Sequence, residues 1–571
     1  MTYVLGINAS GFIASACLMK DGKIIYANSE ERFTRIKKDQ NFPHNAIKFC
    51  LEQEGIEFSD LDVISSGWNP AFYMDRTSRG IWQTFRDKGL FLHYIVNELG
   101  SSEYSDSIKS IDQDIIFENG KKIKVEYVDH HVAHASHSFY MSGLESSLVL
   151  VLDGFGEVDT GGLFKFENNS FKTITKAKFP HSFGMVYSTF TQFLGFRPNF
   201  DEWKVMALAG SGNPKKYKNE IEQIFKIGRN ASNNLLELDL SYFDYFNFYT
   251  PNFYSEKLLE VFGEVRSQNT ELNQKHFDIA SALQEVSEEK VIEIINEIGE
   301  QFSDEKNLCL SGGFFMNSAL NGKISNKTKF MNPFIGPCPD DTGISIGTAF
   351  ASTAKILEIP KKKYLDNFFG SEFTNDQIIN DLKISKIHYD ELENLFEDTA
   401  KKLADGKIVG WFQGKSELGQ RALGNRSILA SPILSSMKDT INKYVKFREE
   451  FRPFAPSILE EFKEEYFEIS KSEEVYFMEK VFPFKEIKKK EVPSVVHTDG
   501  TGRIHLVSEK SNKNLYKLIK EFQKITNVPI ILNTSFNTNN VPIVESPKDA
   551  ISTFYNCGID VLYMNNIRIM K

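Results

Sequence analysis

Four of the eleven histidines lie within eight residues of one another, at His130, His131, His134 and His137. The preceding residues 121–128, KKIKVEYV, are typical of a short strand, so the histidines begin the element that follows. If that element is a helix, three of them (at 130, 134 and 137) share one face. Two imidazoles one helical turn apart can bind a single first-row metal ion. The alternative interpretation is a polar helix start, in which one histidine is the cap and the others are solvated.

A second candidate for chemistry is a local excess of positive charge. Residues 401–460 contain eleven Lys or Arg against six Asp or Glu, although the whole chain has a net charge of −10. Among them, Arg421, Arg426, Arg448 and Arg452 lie between Gly, Leu, Phe and Pro rather than in a polar run. Buried guanidinium groups need anionic partners, and phosphate is a natural one. A solvated basic face is the alternative interpretation.

Glycine-rich loops follow two further predicted elements. The predicted strand 307–310 leads into Gly312 and Gly313, and residues 336–347 form another loop-to-helix junction that contains Asp341. Glycines let the backbone approach a nucleotide closely, and the N-terminus of the next helix would then face it. Paired glycines also mark many ordinary turns, so this signal alone is weak.

The C-terminal part of the chain has two polar turns. Residues 497–503, HTDGTGR, end in Arg503, and the predicted strand 528–537, VPIILNTSFN, runs into Asn533 and Ser535. Polar groups at the exit of a strand commonly form the ligand site of an α/β domain. Asn and Ser are also favoured in turns, which is the alternative explanation.

The elements that must position these residues begin with a repeated pattern. Residues 3–7 are a predicted strand, and 14–19 and 23–27 form a predicted hairpin. A strand, an Asp-Gly-rich turn and a strand recur in residues 146–166. This opening is typical of the actin-like ATPase fold, and two copies of it suggest duplicated halves. Two unrelated hairpins are the alternative interpretation.

Length and composition suggest where this chain divides. A chain of 571 residues exceeds what one hydrophobic core usually organises. From about Lys355 to Asp398 the sequence is polar and rich in charge, which predicts an exposed connector. We therefore expect an N-terminal domain over residues 1–355, a connector over 356–398 and a C-terminal α/β domain over 399–571.

The bulk composition argues against several classes of protein. A net charge of −10 argues against a general nucleic-acid binder. The five cysteines are scattered without a CxxC pair, which excludes a zinc ribbon and fits a reducing cytoplasm. No apolar run reaches the roughly eighteen residues of a membrane span, and the first residues lack a signal-peptide pattern. We expect a soluble cytoplasmic protein without nucleic-acid or membrane partners.

Nine segments in a common order resemble the NodU/CmcH-type O-carbamoyltransferases. The resemblance extends over nearly the whole chain, and ELGQRALGNRS is its most specific part. The segments are EERFTRIKKDQNFP (Glu30–Pro43), DHHVAHAS (Asp129–Ser136), VLDGFGE (Val151–Glu157), PHSFGMVYSTFTQFLGF (Pro180–Phe196), DEWKVMALA (Asp201–Ala209), GWFQGKSELGQRALGNRSILA (Gly410–Ala430), VKFREEFRPFAPSIL (Val445–Leu459), HTDGTGR (His497–Arg503) and LNTSFN (Leu532–Asn537).

The resemblance implies an α/β protein in which a duplicated actin-like ATPase domain precedes a YrdC-like C-terminal domain. The first domain would bind ATP, with Mg(II), beside a divalent metal that is usually iron. The implied metal ligands are His130, His134, Asp153 and Asp341. Two imidazoles and two carboxylates suit Fe(II) or Mn(II) better than Zn(II). The implied nucleotide contacts are Lys204, Gly312, Gly313, Asn317 and Thr342.

The resemblance also implies a reaction in two steps. Carbamoyl phosphate and ATP would give carbamoyl adenylate in the C-terminal domain, and a hydroxyl of a small sugar or natural-product acceptor would then take the carbamoyl group in the N-terminal domain. The implied substrate-binding residues are Arg421, Lys446, Arg452, Arg503, Asn533 and Ser535. The implied catalytic residues are His131, Glu202, Lys204, Arg421, Lys446 and Arg452. Among these, His131 and Glu202, together with Asp201, are the candidates for the base that activates the acceptor.

The chain departs from the family pattern in its first turn. Family members carry a His-Asp or His-Asn pair where this chain has Phe12, Ile13 and Ala14, and Val541 replaces an acid before Pro542. The missing histidine would alter the acceptor pocket or weaken transfer. Residues 69–110, which are rich in aromatic side chains, are a candidate acceptor-binding insertion, although they could equally be core.

Three alternative functions use related domains. A hydrogenase-maturation enzyme would carry CxxC zinc fingers, which this sequence lacks. A threonylcarbamoyl-type enzyme modifies tRNA, which the acidic composition disfavours. A nucleotide-binding regulator would have lost the arginine set, yet all of those residues are present. The sequence therefore favours an ATP-dependent carbamoyltransferase, with a homodimer as the expected assembly.

Overall fold

The computed structural model describes residues 1–9, 12–68, 113–226, 235–247 and 250–571. The candidate acceptor-binding insertion at 69–110 lies outside these described residues. Within the described ranges, no helix combines the length and the apolar character that crossing a membrane requires.

The described chain is a mixed α/β protein with twenty-one strands. Its strands are β1 (Tyr3–Asn8), β2 (Ser15–Lys20), β3 (Lys23–Ser29), β4 (Val63–Ser66), β5 (Gln113–Ile116), β6 (Lys122–Tyr127), β7 (Ser146–Gly156), β8 (Asp159–Glu167), β9 (Ser170–Lys178), β10 (Leu308–Ser311), β11 (Phe334–Ile335), β12 (Asp390–Glu391), β13 (Val409–Phe412), β14 (Arg426–Ala430), β15 (Ala455–Leu459), β16 (Val481–Pro483), β17 (Thr501–Arg503), β18 (His505–Val507), β19 (Ile530–Ser535), β20 (Val561–Met564) and β21 (Ile567–Met570).

Helices connect most of these strands. Those in the described ranges are α1 (Glu31–Thr34), α2 (His44–Glu54), α3 (His130–Ser142), α4 (Phe183–Phe193), α5 (Glu202–Ala209), α6 (Lys218–Glu222), α7 (Glu256–Phe262), α8 (Gln274–Gln301), α9 (Ser318–Lys327), α10 (Ile344–Thr353), α11 (Asn375–Ile384), α12 (Leu395–Ala404), α13 (Met437–Ile441), α14 (Lys463–Tyr466), α15 (Glu486–Lys489), α16 (Lys513–Thr526) and α17 (Pro547–Tyr555). Short 3-10 turns at Gly313–Met316 and Asp341–Gly343 precede α9 and α10.

The chain divides into two compact units. The first unit consists of residues 1–27, 40–317 and 323–363, and the second of 28–39, 318–322 and 364–571. The second unit is therefore assembled from three separate stretches of sequence.

The first unit contains two sheets of the same design. One has the strand order β3-β2-β1-β4-β6-β5, and the other has the order β9-β8-β7-β10-β11. In each, the first strand pairs antiparallel with the second and parallel with the fourth, as β1 does with β2 and β4 and as β7 does with β8 and β10. The repeated sequence pattern therefore corresponds to a repeated sheet, and the interpretation as two unrelated hairpins is wrong.

Helices α3 and α10 pack against each other and against these sheets. Helix α10 contacts β1, β2 and β4, whereas α3 contacts β7 and β10. At Gly347, a Cβ atom would lie 1.9 Å from the Ala133 carbonyl oxygen, so only glycine permits this approach of the two helices. Because α10 follows Asp341 directly and α3 begins at His130, the close packing brings both N-termini to one place.

The second unit is built on an eight-stranded sheet with the order β12-β21-β20-β13-β14-β19-β15-β18. Strands β14 and β15 both pair antiparallel with β19, which places the residues that precede these two strands around the β19 exit. A separate two-stranded sheet, β16 and β17, ends at Arg503.

The connector predicted over residues 356–398 is not observed. Strand β12 is the edge strand of the eight-stranded sheet, and the second unit already begins at Tyr364. Arg568 binds Asp390 at 2.8 Å and Asp398 at 2.9 Å, so the charges that suggested solvent exposure instead pair with the sheet. The compact units thus divide at Tyr364, and the predicted domain bounds of 1–355 and 399–571 stay a prediction.

An N-terminal segment, residues 28–39, also belongs to the second unit. The buried Arg32 guanidinium lies 3.5 Å from the Glu545 carboxylate and donates to the Glu417 and Gly419 carbonyls. The Asn28 amide donates to Glu545 at 2.9 Å. The segment EERFTRIKKDQNFP thus contributes to the core of the C-terminal unit.

Candidate functional site

The four histidines occupy the first turns of helix α3, and Asp129 is the cap of this helix. The Asp129 carboxylate accepts a hydrogen bond from the Val132 N–H at 2.9 Å and pairs with Lys176 at 2.6 Å. The His130 N–H points to the Glu157 carboxylate at 3.2 Å. All four histidine side chains are buried. The interpretation as a solvated helix start with a histidine cap is therefore wrong.

His130 and His134 face two carboxylates. Asp153 lies in β7, and Asp341 begins the 3-10 turn before α10. The His130 Nε2 atom lies 3.3 Å from Asp153 Oδ2 and 3.6 Å from Asp341 Oδ1. The corresponding distances from His134 Nε2 are 3.6 and 3.5 Å. One ligand atom from each residue lies within 4.8 Å of the others, so the four predicted ligands form one cluster.

The members of this cluster shift one another's pKa. Burial lowers the pKa of His134, but the carboxylates of Asp153 and Asp341 outweigh it and raise the value to about 9. The pKa of His130 is likewise raised by the two carboxylates, against burial. The imidazoles hold the pKa of Asp153 well below its ordinary value, although burial acts in the other direction. Protons on the imidazoles neutralise the carboxylates, and a cation in the same place would do likewise.

Two features of the cluster fit a divalent metal ion. The nitrogen-to-oxygen separations of 3.3–3.6 Å are long for hydrogen bonds. They are close to the roughly 3.0–3.4 Å expected between two ligands that each lie about 2.1 Å from one ion. In addition, the buried Asp341 Oδ2 and both His134 ring nitrogens have no hydrogen-bond partner among the described residues.

Backbone groups orient two of these side chains. The His130 Nδ1 atom lies 3.2 Å from the Gly67 carbonyl oxygen, which can only accept, so Nδ1 carries the hydrogen and Nε2 is left to bind a ligand. Asp153 Oδ1 accepts a hydrogen bond from the Gly313 N–H at 2.9 Å, which turns Oδ2 towards the histidines. This second contact places the first glycine-rich loop directly against the cluster.

The unusual first turn folds against the same place. The Asn8 side-chain amide donates to the Ile13 carbonyl at 2.6 Å and to the Asp341 carbonyl at 2.9 Å. The Phe12 ring meets the edge of Phe155, with ring centroids 5.5 Å apart. Where relatives are expected to have a polar pair, this chain therefore has an apolar contact with the end of β7, two residues after Asp153.

The other two histidines differ in their surroundings. His131 packs with its ring centroid 5.3 Å from that of His130, and burial and the nearby His130 hold its pKa well below the ordinary value. His137, the third residue on the predicted face, lies outside the cluster, with its ring against Gly336 and Gly343. His131 is thus the neutral imidazole nearest the cluster, which keeps its assignment as a base open as a prediction.

The predicted nucleotide contacts fall into two groups. Gly312, with a φ of 93°, and Gly313 border the cluster, and the buried Thr342 Oγ1 has no hydrogen-bond partner among the described residues. Asn317 instead exchanges two amide hydrogen bonds with Gln284, at 2.9 and 3.0 Å. The nucleotide role of these residues stays a prediction.

Residues 201–204 make several local contacts. The Lys204 ammonium lies 3.2 Å from Asp201 and above the Trp203 ring. Glu202 Oε1 accepts hydrogen bonds from the Ser188 hydroxyl at 2.6 Å and the Asn199 N–H at 2.5 Å. These contacts fix the loop before α5, and the proposed roles of Lys204 with phosphate and of Glu202 or Asp201 as base stay predictions.

The second unit holds a separate group of cations. The buried Lys446 ammonium donates to the Ser535 carbonyl at 2.6 Å, to the Asn537 side-chain oxygen at 2.7 Å and to the Asn537 carbonyl at 2.9 Å. Burial lowers the pKa of Lys446 well below its ordinary value, and Arg448 acts in the same direction. Two of the predicted substrate residues, Lys446 and Ser535, are therefore in direct contact at the exit of β19.

Four arginines act on one another's charge, and one of them, Arg452, also pairs with Glu449 at 2.8 Å. Burial lowers the pKa of Arg503 well below its ordinary value, and Arg421 and Arg448 lower it further. Burial and then Arg452 lower the pKa of Arg448 to about 9. Such mutual repulsion is relieved when an anion binds. The cationic cluster, as we call Arg421, Lys446, Arg448, Arg452 and Arg503, contains all four predicted cationic substrate residues.

Arg448 was among the arginines expected to need an anionic partner, but it is the one member of the cationic cluster that the resemblance did not assign to the substrate. Its Nε donates to the Asn442 side chain at 2.7 Å, and its guanidinium lies over the Phe454 ring.

Arg426 has a different role from the one that its setting suggested. Its fully buried guanidinium donates to the carbonyls of Gln413, Gly414, Asn425 and Ser371 at 2.8–3.1 Å and stacks on the Phe412 ring. The four carbonyl groups bind its terminal nitrogens, and its buried Nε has no hydrogen-bond partner among the described residues. The anionic groups that act on its charge are the carboxylates of Glu545 and Glu417, so the chain itself supplies the negative charge that was expected from a phosphate.

Comparisons with known proteins agree with this two-part organisation. The family model described as carbamoyltransferase N-terminus matches residues 3–350, and that described as carbamoyltransferase C-terminus matches residues 400–571. The uncharacterized protein sll1178 of Synechocystis is 33% identical over 100% of this chain and 97% of its own length. The nodulation protein NolNO of Sinorhizobium fredii is 33% identical over 98% of this chain and 78% of its own. The 3'-hydroxymethylcephem-O-carbamoyltransferase of Streptomyces clavuligerus is 26% identical over 76% of this chain and 78% of its own length.

Proposed function

Because the chain belongs to the carbamoyltransferase family, we propose that it is an ATP-dependent O-carbamoyltransferase with two separate sites. The cationic cluster would form carbamoyl adenylate from carbamoyl phosphate and ATP, and the first unit would transfer the carbamoyl group to a hydroxyl. The observation that carries this proposal is the cationic cluster itself, in which Lys446 is bound at the exit of β19 and the charges of Arg421 and Arg448 act on Arg503.

The fold assignment is part of the proposal. The repeated sheets with the order 3-2-1-4 and helices α3 and α10 between them support an actin-like ATPase fold for the first unit. The eight-stranded sheet of the second unit is proposed to be YrdC-like. The glycine-rich loops at Gly312 and Gly343 would then bind the nucleotide, with Mg(II) on its phosphates.

In the second unit, the guanidinium groups of the cationic cluster would hold the phosphate of carbamoyl phosphate. A dianion next to Arg421 and Arg503 removes the repulsion between them, and the Lys446 ammonium gains a charged partner. Water would cleave the substrate to carbamate and phosphate, and a carbamate oxygen would then attack the α-phosphorus of ATP. Pyrophosphate leaves, so both products are released and carbamoyl adenylate remains.

In the first unit, an acceptor hydroxyl would attack the carbonyl carbon of carbamoyl adenylate. The bond between this carbon and the AMP oxygen breaks, and the hydroxyl proton passes to a base, for which His131, Glu202 and Asp201 are the candidates. His130, His134, Asp153 and Asp341 would hold a divalent ion such as Fe(II). When bound, such an ion stabilises negative charge on oxygen. Lys204 would face the AMP phosphate.

The acceptor is proposed from the relatives. The name of the Streptomyces clavuligerus relative describes carbamoyl transfer to an oxygen of a hydroxymethylcephem. A hydroxyl on a sugar or another natural product is therefore the acceptor class that we propose here. We also propose that the protein works in the cytoplasm, possesses no nucleic-acid partner and forms a homodimer.

The test is pyrophosphate release from ATP by the purified, iron-reconstituted chain, with and without carbamoyl phosphate. Arg421→Ala should abolish the release that depends on carbamoyl phosphate. His130→Ala should retain it but lose transfer to an acceptor, and His388→Ala, at an exposed position, serves as the matched control. If the wild-type chain released no pyrophosphate in response to carbamoyl phosphate, the proposal would be wrong. A regulatory role would then replace it, and the altered turn at Phe12-Ile13-Ala14 would be the first explanation to examine.

A further inference from the structure

A hydrogen-bonded relay fixes the protonation of His497, at the turn before β17. The His497 N–H donates to the Thr501 carbonyl at 2.8 Å, which closes the turn. The Thr501 hydroxyl donates to the Asp499 carboxylate at 2.7 Å, and it lies 3.1 Å from His497 Nδ1. Since this hydroxyl hydrogen is already used, Nδ1–H must be the donor in the second contact. The neutral His497 ring therefore has its lone pair on Nε2.

This Nε2 atom is buried and has no hydrogen-bond partner among the described residues. Burial lowers the pKa of His497 to about 4, and Arg503 and Lys438 act in the same direction against Asp499. At neutral pH the atom is therefore an unoccupied acceptor. A buried acceptor without a partner is destabilising, which is a reason to look for a ligand that donates to it.

Asn533, in β19, offers a second acceptor of this kind. Both hydrogens of its side-chain amide are used, because Nδ2 donates to the Ala422 carbonyl at 3.1 Å and to the Ser457 hydroxyl at 3.0 Å. The Ser457 hydroxyl in turn contacts His505 Nδ1 at 2.8 Å, which anchors this arrangement. Asn533 Oδ1 is buried and has no partner within the described part of the chain.

Both acceptors are connected to residues close in sequence to the same pair of guanidinium groups. Ser457, which binds Asn533, contacts His505 two residues after Arg503, and His497 lies in the turn that leads to Arg503. The charge of Arg503 acts on His497, and that of Arg421 acts on Arg503. The Ala422 carbonyl that holds Asn533 is adjacent to Arg421 in sequence. Guanidinium and ammonium groups can only donate hydrogen bonds. The cationic cluster can therefore bind a phosphate, but it cannot bind an amide NH₂, whereas His497 Nε2 and Asn533 Oδ1 can.

We propose that His497, together with Asn533, accepts hydrogen bonds from the NH₂ group of the carbamoyl substrate and thereby selects carbamoyl over acetyl phosphate. This inference rests on the proposed function and assigns His497 as a specificity-determining residue. Acetyl phosphate has a methyl group in place of NH₂, so it would fill the same space and leave two buried acceptors unpaired. A site that is built to hydrogen-bond an NH discriminates strongly against an analogue that lacks it.

The test uses two stable analogues that differ only in this group, phosphonoacetamide and acetonylphosphonate. Their dissociation constants are measured by calorimetry on the full chain, with inorganic phosphate as a reference. The wild-type chain should bind phosphonoacetamide roughly 100-fold more tightly than acetonylphosphonate. His497→Leu should reduce this ratio roughly tenfold without changing the affinity for inorganic phosphate. His497→Gln, whose side-chain oxygen lies near the position of Nε2, should restore it.

Matched variants and a parallel assay keep the outcomes separate. His388→Leu, at an exposed position of the same unit, should leave the ratio unchanged. An unchanged ratio in His497→Leu, or equal binding of both analogues by the wild-type chain, would overturn the inference. Pyrophosphate release that depends on carbamoyl phosphate is measured on the same preparations. Its absence in the wild-type chain would count against the proposed function, whereas its presence together with an unselective site would count against this inference alone.

Discussion

Gly156, at the end of β7, lies directly against a proposed metal ligand, so its replacement by alanine should weaken metal binding. A Cβ atom at this position would lie 2.3 Å from Cδ2, 2.6 Å from Cγ and 2.8 Å from Cβ of His130. These atoms belong to the ring and its attachment, so the ring has no flexible end that could move aside. To restore ordinary van der Waals contact, the imidazole would have to shift by about 1 Å.

A shift of this size sets the expected magnitudes. Metal–ligand distances tolerate only about 0.2 Å, so His130 would leave the ion or pull the cluster with it. Displacing a group that orients a ligand typically lowers metal affinity about 10- to 100-fold. Overpacking at a buried position costs about 1–3 kcal/mol of unfolding free energy. Gly156→Ala should therefore lose metal affinity and a small part of its stability.

The assay is competition for Fe(II) or Mn(II) with a chelator of known affinity, together with urea unfolding. Gly154→Ala is the matched control, because a Cβ at this neighbouring glycine would meet nothing within 4 Å. Gly156→Ala should also retain the pyrophosphate release assigned to the second unit. Equal metal affinity in the two variants would refute the assignment of His130 as a ligand.

Three further predictions concern the second unit. Arg426→Met should lower the unfolding free energy by about 3–5 kcal/mol in urea titrations, because four carbonyls lose their donor; a loss below about 1 kcal/mol would contradict this structural role. Burial raises the pKa of the Glu479 carboxyl from 4.5 to about 7, because the folded chain favours the protonated form. The stabilisation of the folded chain by this protonated carboxyl is therefore fully present below pH 4.5 and is lost as the pH rises through 7. Glu479→Gln should thus match the wild-type unfolding free energy near pH 4.5 and exceed it by about 3 kcal/mol at pH 8, and a pH-independent difference would count against it. Inorganic pyrophosphate at 100 times its dissociation constant should stabilise the wild-type chain by about 2.7 kcal/mol in thermal unfolding. At the same pyrophosphate concentration, Arg503→Met should lose most of this stabilisation. Equal stabilisation of both proteins would show that the anion binds elsewhere.

Local patterns predicted much of the first unit. The strand before the histidines, the hairpins and the repeated opening depend on short-range alternation and turn residues, and each occurs near its predicted position. The spacing of His130 and His134 was sufficient to predict a shared helical face. Spacing alone could not identify Asp153 and Asp341, because they reach the histidines through sheet topology and were predicted only from the family resemblance.

The errors concern residues whose partners are distant in sequence. Asp390 and Asp398 were interpreted as solvated charges, but they pair with Arg568, about 170 residues away. Arg426 was grouped with the anion-binding arginines, because composition cannot distinguish a guanidinium that binds carbonyls from one that binds phosphate. His497 has a buried acceptor at Nε2 because Thr501 contacts the other ring nitrogen, Nδ1. No sequence pattern specifies which of the two nitrogens Thr501 contacts.

The insertion of residues 28–39 into the second unit has a consequence for how the chain is made. Glu545 receives the Asn28 amide, the Ser371 N–H and the Ser416 hydroxyl, and it lies beside Arg32. During synthesis, residues 28–39 leave the ribosome some five hundred residues before this carboxylate exists. Residues 28–39 must therefore wait for a buried partner that is synthesised some five hundred residues later. A C-terminal fragment that starts at residue 364 would lack this partner, so the second unit should be expressible alone only if residues 28–39 are supplied in trans or attached by circular permutation.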